Sequence, residues 1–75
     1  MDAFQLVSRA LASRLGIDLS EISLDTELME LGVDSLDSAE LLMELEEKLG
    51  IEIEASKQMK TVRDVVNEID RAAKA

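Results

Sequence analysis

Residues 32–50 read GVDSLDSAELLMELEEKLG, and the fold turns on how this run is wound. At 100° per residue from Leu36, the apolar side chains Leu41, Leu45, Leu49, Leu42, Ala39, Met43 and Leu36 sweep an arc of about 220°. Asp37, Glu40, Glu44 and Glu47 fill a wedge of about 80°. That separation is the signature of a helix, running from Ser35 to Leu49 and stopping at Gly50, where glycine suits a left-handed cap. A helix with one face on a core needs an apolar arc of only about 100–140°. A central helix packed on two sides accounts for most of the excess. Leu36 and Met43 border the acidic wedge, however, and fit semi-exposed anchors beside a ring of carboxylates, the usual anatomy of a charged docking site with an apolar centre.

Outward from this run, the chain reads as helical at both ends. Phe4, Val7, Leu11 and Leu15 repeat at helical spacing, with Arg9, Ala12 and Ser13 off the stripe. Asp2 with Gln5 resembles a capping box, and Gly16 suits the position just past the end, so the first helix spans about residues 2–15. Thr61 followed by Asp64 can cap a last helix along which Val62, Val65, Val66, Ile69 and Ala73 recur at threes and fours. Between them, residues 16–34 hold Ile17, Leu19, Ile22, Leu24, Leu28 and Leu31 at spacings too irregular for a full helix. A structureless loop of that length is unusual in a compact domain. The segment is expected to lie across the core, pinned by those side chains, with a helical turn near Leu28–Leu31. Residues 51–60, IEIEASKQMK, begin with a strand-like alternation, but a lone strand has nothing to pair with. A short helix or turn through Ala55–Met59 is the better reading. The class is all-α.

Seventy-five residues make one small domain, taken as residues 1–75. A chain this short hides only about 60% of the surface its unfolded form exposes, so packing must be efficient. Without cysteine there is no disulfide staple and no thiolate metal site. Charge is unevenly spread: residues 18–54 carry 13 Asp and Glu against Lys48 alone, while the other positions carry 4 acids and 7 bases. A field of that sign repels nucleic acid and anionic lipid and attracts basic protein surfaces, although it also serves solubility alone. No apolar run approaches the roughly 18 residues of a membrane span. The opening MDAFQLVSRA lacks the basic region and long apolar core of a secretory signal. The chain is therefore read as cytoplasmic, or as placed in an organelle after removal of a leader.

Catalysis is hard to build from these residues. The chain has no His, Cys or Tyr, so Ser35 has no base to activate it. Paired carboxylates need burial to push their pKa values apart, and a run of exposed acids does not supply it. A calcium loop needs oxygen ligands at positions 1, 3 and 5, Gly at 6 and Glu at 12. Counting from Asp18 meets Ile22 and Ser23, and counting from Asp34 meets Leu36, so both frames fail and no metal site is expected. Ser35 itself has two readings. It is a favoured N-cap residue, a role Asp34 fills equally well. Alternatively, a group esterified to it through phosphate would sit where free amides and the helix dipole favour an anion, with Gly32 and Ser38 leaving room for an incoming enzyme.

The run ELGVDSLDSAELLMELEEKLGIEI resembles the core of the acyl carrier proteins of the fatty-acid-synthesis type. The matching elements are Leu31-Gly32, the Asp34-Ser35-Leu36 triplet, Asp37, Glu40-Leu41, Met43 and Glu46-Glu47; the likeness extends more loosely along the whole chain. A bare Asp-Ser-Leu is a weak signal, but the triplet after Leu-Gly, opening an acidic helix in an acidic chain of this length, is a specific one. The resemblance implies a small four-helix bundle with a long first loop and a short third helix. It implies that Ser35 carries 4′-phosphopantetheine, transferred from coenzyme A by a phosphopantetheinyl transferase with magnesium, and that the thiol of this arm holds acyl groups as thioesters. It further implies a second helix that meets basic patches on acyltransferases, ketosynthases and other acyl-chain enzymes. Carried over residue by residue, that surface is Asp34, Asp37, Glu40, Glu44 and Glu47, with Leu36 and Met43 as apolar contacts. One departure stands out: after Ile53 the family has a Pro-Asp opening, whereas this chain has EASKQMK, without proline and a residue or two shorter. The segment normally lines the acyl pocket, so the departure bears on acyl preference and keeps a specialised carrier open as the alternative.

The expected protein is thus a monomeric, non-catalytic carrier. A carrier of polyketide or aminoacyl intermediates would share Ser35 with a less acidic second helix. An acidic adaptor for basic partners would need no modified serine.

Overall fold

The computed structural model describes residues 2–53 and 59–74. Three α-helices stand in chain order: α1, Ala3–Leu15; α2, Ser35–Leu49; and α3, Val62–Lys74. Two 3₁₀ turns, Leu19–Glu21 and Leu28–Leu31, interrupt the long connection between α1 and α2. The all-α class is the one the periodicity indicates. The short helix expected through Ala55–Met59 falls on residues 54–58, which lie outside the described residues; Met59, at its end, is half-buried against the core.

Each helix forms where local chemistry satisfies its ends. The Asp2 carboxylate accepts from the Phe4 amide to start α1, although no return bond from Gln5 completes a box among the described residues. Gly16, at φ 68°, ends α1 in the left-handed region and donates its amide to the Ala12 carbonyl. Helix α2 has the limits read from the sequence, with Gly50 as its left-handed cap. At the start of α3 a true capping box forms: the Thr61 hydroxyl accepts from the Asp64 amide at 3.3 Å, and the Asp64 carboxylate accepts from the Thr61 amide at 3.1 Å. Asp64 also accepts from the Lys60 amide at 2.9 Å. These two backbone bonds, that from Lys60 foremost and that from Thr61 next, hold the Asp64 carboxyl below its ordinary value.

The core gathers Val7 and Leu11 from α1, Leu41, Leu42 and Leu45 from α2, and Val62, Val65, Val66 and Ile69 from α3. Helix α1 packs chiefly on α3, and α2 closes the remaining side. The outer members of two expected stripes fare differently. Phe4 and Leu15 are only half-buried, with Ala3 and Ser8 buried in their stead, and Ala73 is exposed because the buried stripe of α3 ends at Ile69.

The long connection lies across the core as expected. Ile22, Leu28 and Val33 are buried, and Ile17, Leu24 and Leu31 pack against them. Leu19 is the exception, at 46% exposure. It opens a 3₁₀ turn that the Asp18–Glu21 capping box holds at the surface. A backbone bridge pairs Glu27 with Thr61: the Leu28 amide donates to the Lys60 carbonyl at 2.8 Å and the Val62 amide to the Thr26 carbonyl at 3.0 Å. The Arg63 amide adds a bond to the Leu24 carbonyl at 2.9 Å. The connection is thereby tied to the entrance of α3, which sets the position of Gly32 and of everything after it.

Candidate functional site

The chain turns into α2 at Gly32, whose φ of 82° is one that a side chain would resist. Asp34 follows as the N-cap, its carboxylate accepting from the Asp37 amide at 2.8 Å. That bond answers the question of the cap: Asp34 fills the role and leaves Ser35 without it. Ser35 is the first residue of α2, it is exposed, and its hydroxyl has no hydrogen-bond partner among the described residues. The amides of Ser35 and Leu36 are likewise free of backbone partners among them, as the first amides of any helix are.

Beside Ser35 opens a cleft of about 580 Å³. Its walls include Val33, Ser38, Met29, Met59 and Lys60. This arrangement fits a phosphate-linked arm on Ser35 in three respects. The nucleophilic oxygen is accessible, free amides and the helix dipole face a phosphate placed there, and an apolar trough begins next to it. Lys60, exposed, also lines the cleft, together with the carboxylates of Glu27 and Asp34.

The acidic wedge of α2 is less uniform than its wheel suggests. Glu47 is exposed and Asp37 half-exposed, and neither has an ion-pair partner among the described residues. Glu40 and Glu44 are paired: Arg14, from the last turn of α1, reaches Glu40 at 3.0 Å and Glu44 at 3.4 Å, and Lys48 lies 3.8 Å from Glu44. Glu46 departs from the group altogether. It sits within the apolar arc, and its carboxylate accepts from the Ile53 amide at 2.9 Å, holding the chain after Gly50 against the core. Leu36 and Met43 are 68% and 63% exposed, which separates them from the other apolar residues of the arc. The width of the arc therefore has two origins, with Leu41, Leu42 and Leu45 in the core and these two outside it.

Two residues next to the site escaped the sequence reading. Met29, 85% exposed in the Leu28–Leu31 turn, reaches the cleft from the loop side; an apolar residue in a turn gave no hint of which way it faced. Arg14 carried a partial signal, since a base in the last turn of a helix is favoured by its dipole, but nothing local placed it against α2.

The sequence pattern of the family described as the phosphopantetheine attachment site matches residues 5–69. The acyl carrier protein of Helicobacter hepaticus is 42% identical over 73 residues, covering 93% of this chain and 96% of that protein. The acyl carrier protein of Streptococcus pneumoniae is 36% identical over 74 residues, covering 99% of this chain and all of the relative. The chain belongs to the acyl carrier protein family, and its prosthetic group is covalently attached 4′-phosphopantetheine. Family membership brings with it a phosphopantetheinyl transferase and acyl-chain enzymes as partners. Among the described residues no helix is long and apolar enough to cross a membrane.

Proposed function

We propose that the chain, a single carrier domain over residues 1–75, carries 4′-phosphopantetheine on Ser35 and shuttles acyl groups between enzymes of fatty acid biosynthesis. The observation that supports the attachment point is the unengaged, exposed Ser35 hydroxyl beside a cleft, with Asp34 taking the cap that would otherwise occupy it. When bound, the group supplies a terminal thiol that holds the acyl chain as a thioester. The chain's own residues anchor and position it. The Ser35 oxygen forms the bond to phosphorus as its proton leaves and the nucleotide half of coenzyme A departs. The free α2 amides favour the resulting negative charge. Val33, Met29 and Met59 offer the arm or its cargo apolar cover.

The docking face in this reading is Asp34, Asp37, Glu40, Glu44 and Glu47 around Leu36 and Met43. Exposed carboxylates steer basic partners in quickly and hold them weakly, and the arm raises the local concentration of cargo at each enzyme in turn. The protein is then a monomeric cytoplasmic carrier that performs no chemistry itself. The density of carboxylates on α2 supports a fatty acyl cargo over polyketide or aminoacyl ones.

Incubating the apo-protein with coenzyme A, magnesium and a phosphopantetheinyl transferase, followed by intact mass, tests the assignment. The parent gains one phosphopantetheine and Ser35→Ala gains none, with its helical signal kept. Equal gain by the variant places the attachment elsewhere.

A further inference from the structure

Resting on the docking role assigned to α2, we infer that Arg14 is a specificity-determining residue: it neutralises the middle of the acidic face and leaves its two ends for partners. The pairing is long-range, since Arg14 reaches residues 26 and 30 positions away on another helix. Its side chain is 28% exposed, less than those of Glu40 and Glu44 at 53% and 42%, so it meets them from the protein side of the face. With Lys48 also leaning on Glu44, two carboxylates face two cations at the centre, next to Met43.

Asp37 lies in the first turn of α2 and Glu47 in the last, and neither has a described ion-pair partner. Ten residues of helix separate them, about 15 Å along the axis. The surface presented is therefore negative, then neutral and apolar, then negative. It fits a folded protein that carries two cationic side chains about 15 Å apart with an apolar residue between them. It disfavours one that concentrates its positive charge at the centre, because such a partner must first displace Arg14.

The test is steady-state loading of the apo-protein by a phosphopantetheinyl transferase with coenzyme A, over a range of salt concentrations. Arg14→Met keeps the length of the stem and removes the charge. It should lower the KM for the carrier about two- to five-fold at low salt, leave kcat alone and steepen the salt dependence, while Arg14→Lys stays near the parent. An unchanged or raised KM in an Arg14→Met protein with native helicity overturns the inference. A comparison free of Arg14 variants guards against loss of folding. In the parent background Glu47→Gln should raise KM more than Glu40→Gln, and equal effects overturn the inference as well. The two readings fail separately. If Glu47→Gln and Leu36→Ala both leave KM unchanged, the docking face itself is wrong; if they raise it and Arg14→Met does not lower it, only the role of Arg14 falls.

Discussion

Leu36 and Leu45 lie on the same helix and belong to the same apolar arc, yet truncating them should have opposite consequences. Leu45 is fully buried, so Leu45→Ala removes packed atoms from the core and leaves a cavity. Such substitutions destabilise by about 2–5 kcal/mol. A domain of this length has a total stability of roughly 4–11 kcal/mol, at about 0.05–0.15 kcal/mol per residue. The variant therefore loses about a fifth of its stability or more. With a urea dependence of about 1 kcal/mol per molar, its midpoint should fall by about 2–5 M. Leu36 is 68% exposed, so only a third of its side chain is covered in the free protein. Full burial of a leucine contributes about 1.5–3 kcal/mol, and the covered third therefore about 0.5–1 kcal/mol. The slightly better helix propensity of alanine offsets part of that, leaving Leu36→Ala less than about 1 kcal/mol below the parent. The uncovered two thirds are what a docked partner would bury. Their loss should weaken binding by about 1–2 kcal/mol, or about 5- to 30-fold in the KM for transferase loading. Urea unfolding followed by circular dichroism and loading kinetics on the same preparations decide the matter. Equal urea midpoints for the two variants, or a Leu36→Ala protein loaded with the parent's KM, would refute the division of the arc into core and contact.

Two further outcomes follow from particular bonds. Glu46→Ala leaves the half-buried Ile53 amide without its acceptor and should cost about 1–3 kcal/mol in urea unfolding, while the loading KM stays near the parent's, unlike that of Glu47→Gln. The low pKa of Asp64 links the start of α3 to pH. Its folded value lies below the ordinary 3.8, so its contribution is complete above that value and is lost as pH falls through the folded one. Thermal unfolding of the parent and Asp64→Asn should therefore differ by a constant amount above about pH 5 and converge in more acid solution; a gap that widened on acidification would contradict the cap.

Much of this protein was legible in the residues alone because the relevant forces act over three or four positions. The limits of α2 came from periodicity, Ser35 and Gly50 included, and the capping of α3 by Thr61 and Asp64 came from spacing. The turn at Leu28–Leu31 was legible too, and the Leu19–Glu21 turn could have been found from the Asp18–Glu21 spacing that caps it. Even the exposure of Leu36 and Met43 followed from an arc too wide for one buried face. The family resemblance rested on the same local run and pointed to Ser35 before any geometry was available.

What the tertiary structure alone decided are relations between distant segments. The choice of Asp34 over Ser35 as the cap is, by contrast, a local one that the sequence left open because both residues suit it. The wheel counts Glu40, Glu44 and Glu47 as equivalent and puts Glu46 in the apolar arc without naming a partner for it. The fold sends Arg14 across to the first two, turns Glu46 to the Ile53 amide and leaves Glu47 to solvent. Met29 and Lys60 meet at one cleft only because the loop is bridged to the entrance of α3 through Glu27 and Thr61. Helix ends are set by bonds within one turn of chain, whereas a charge finds its partner according to how helices cross, and no local pattern of residues encodes that angle.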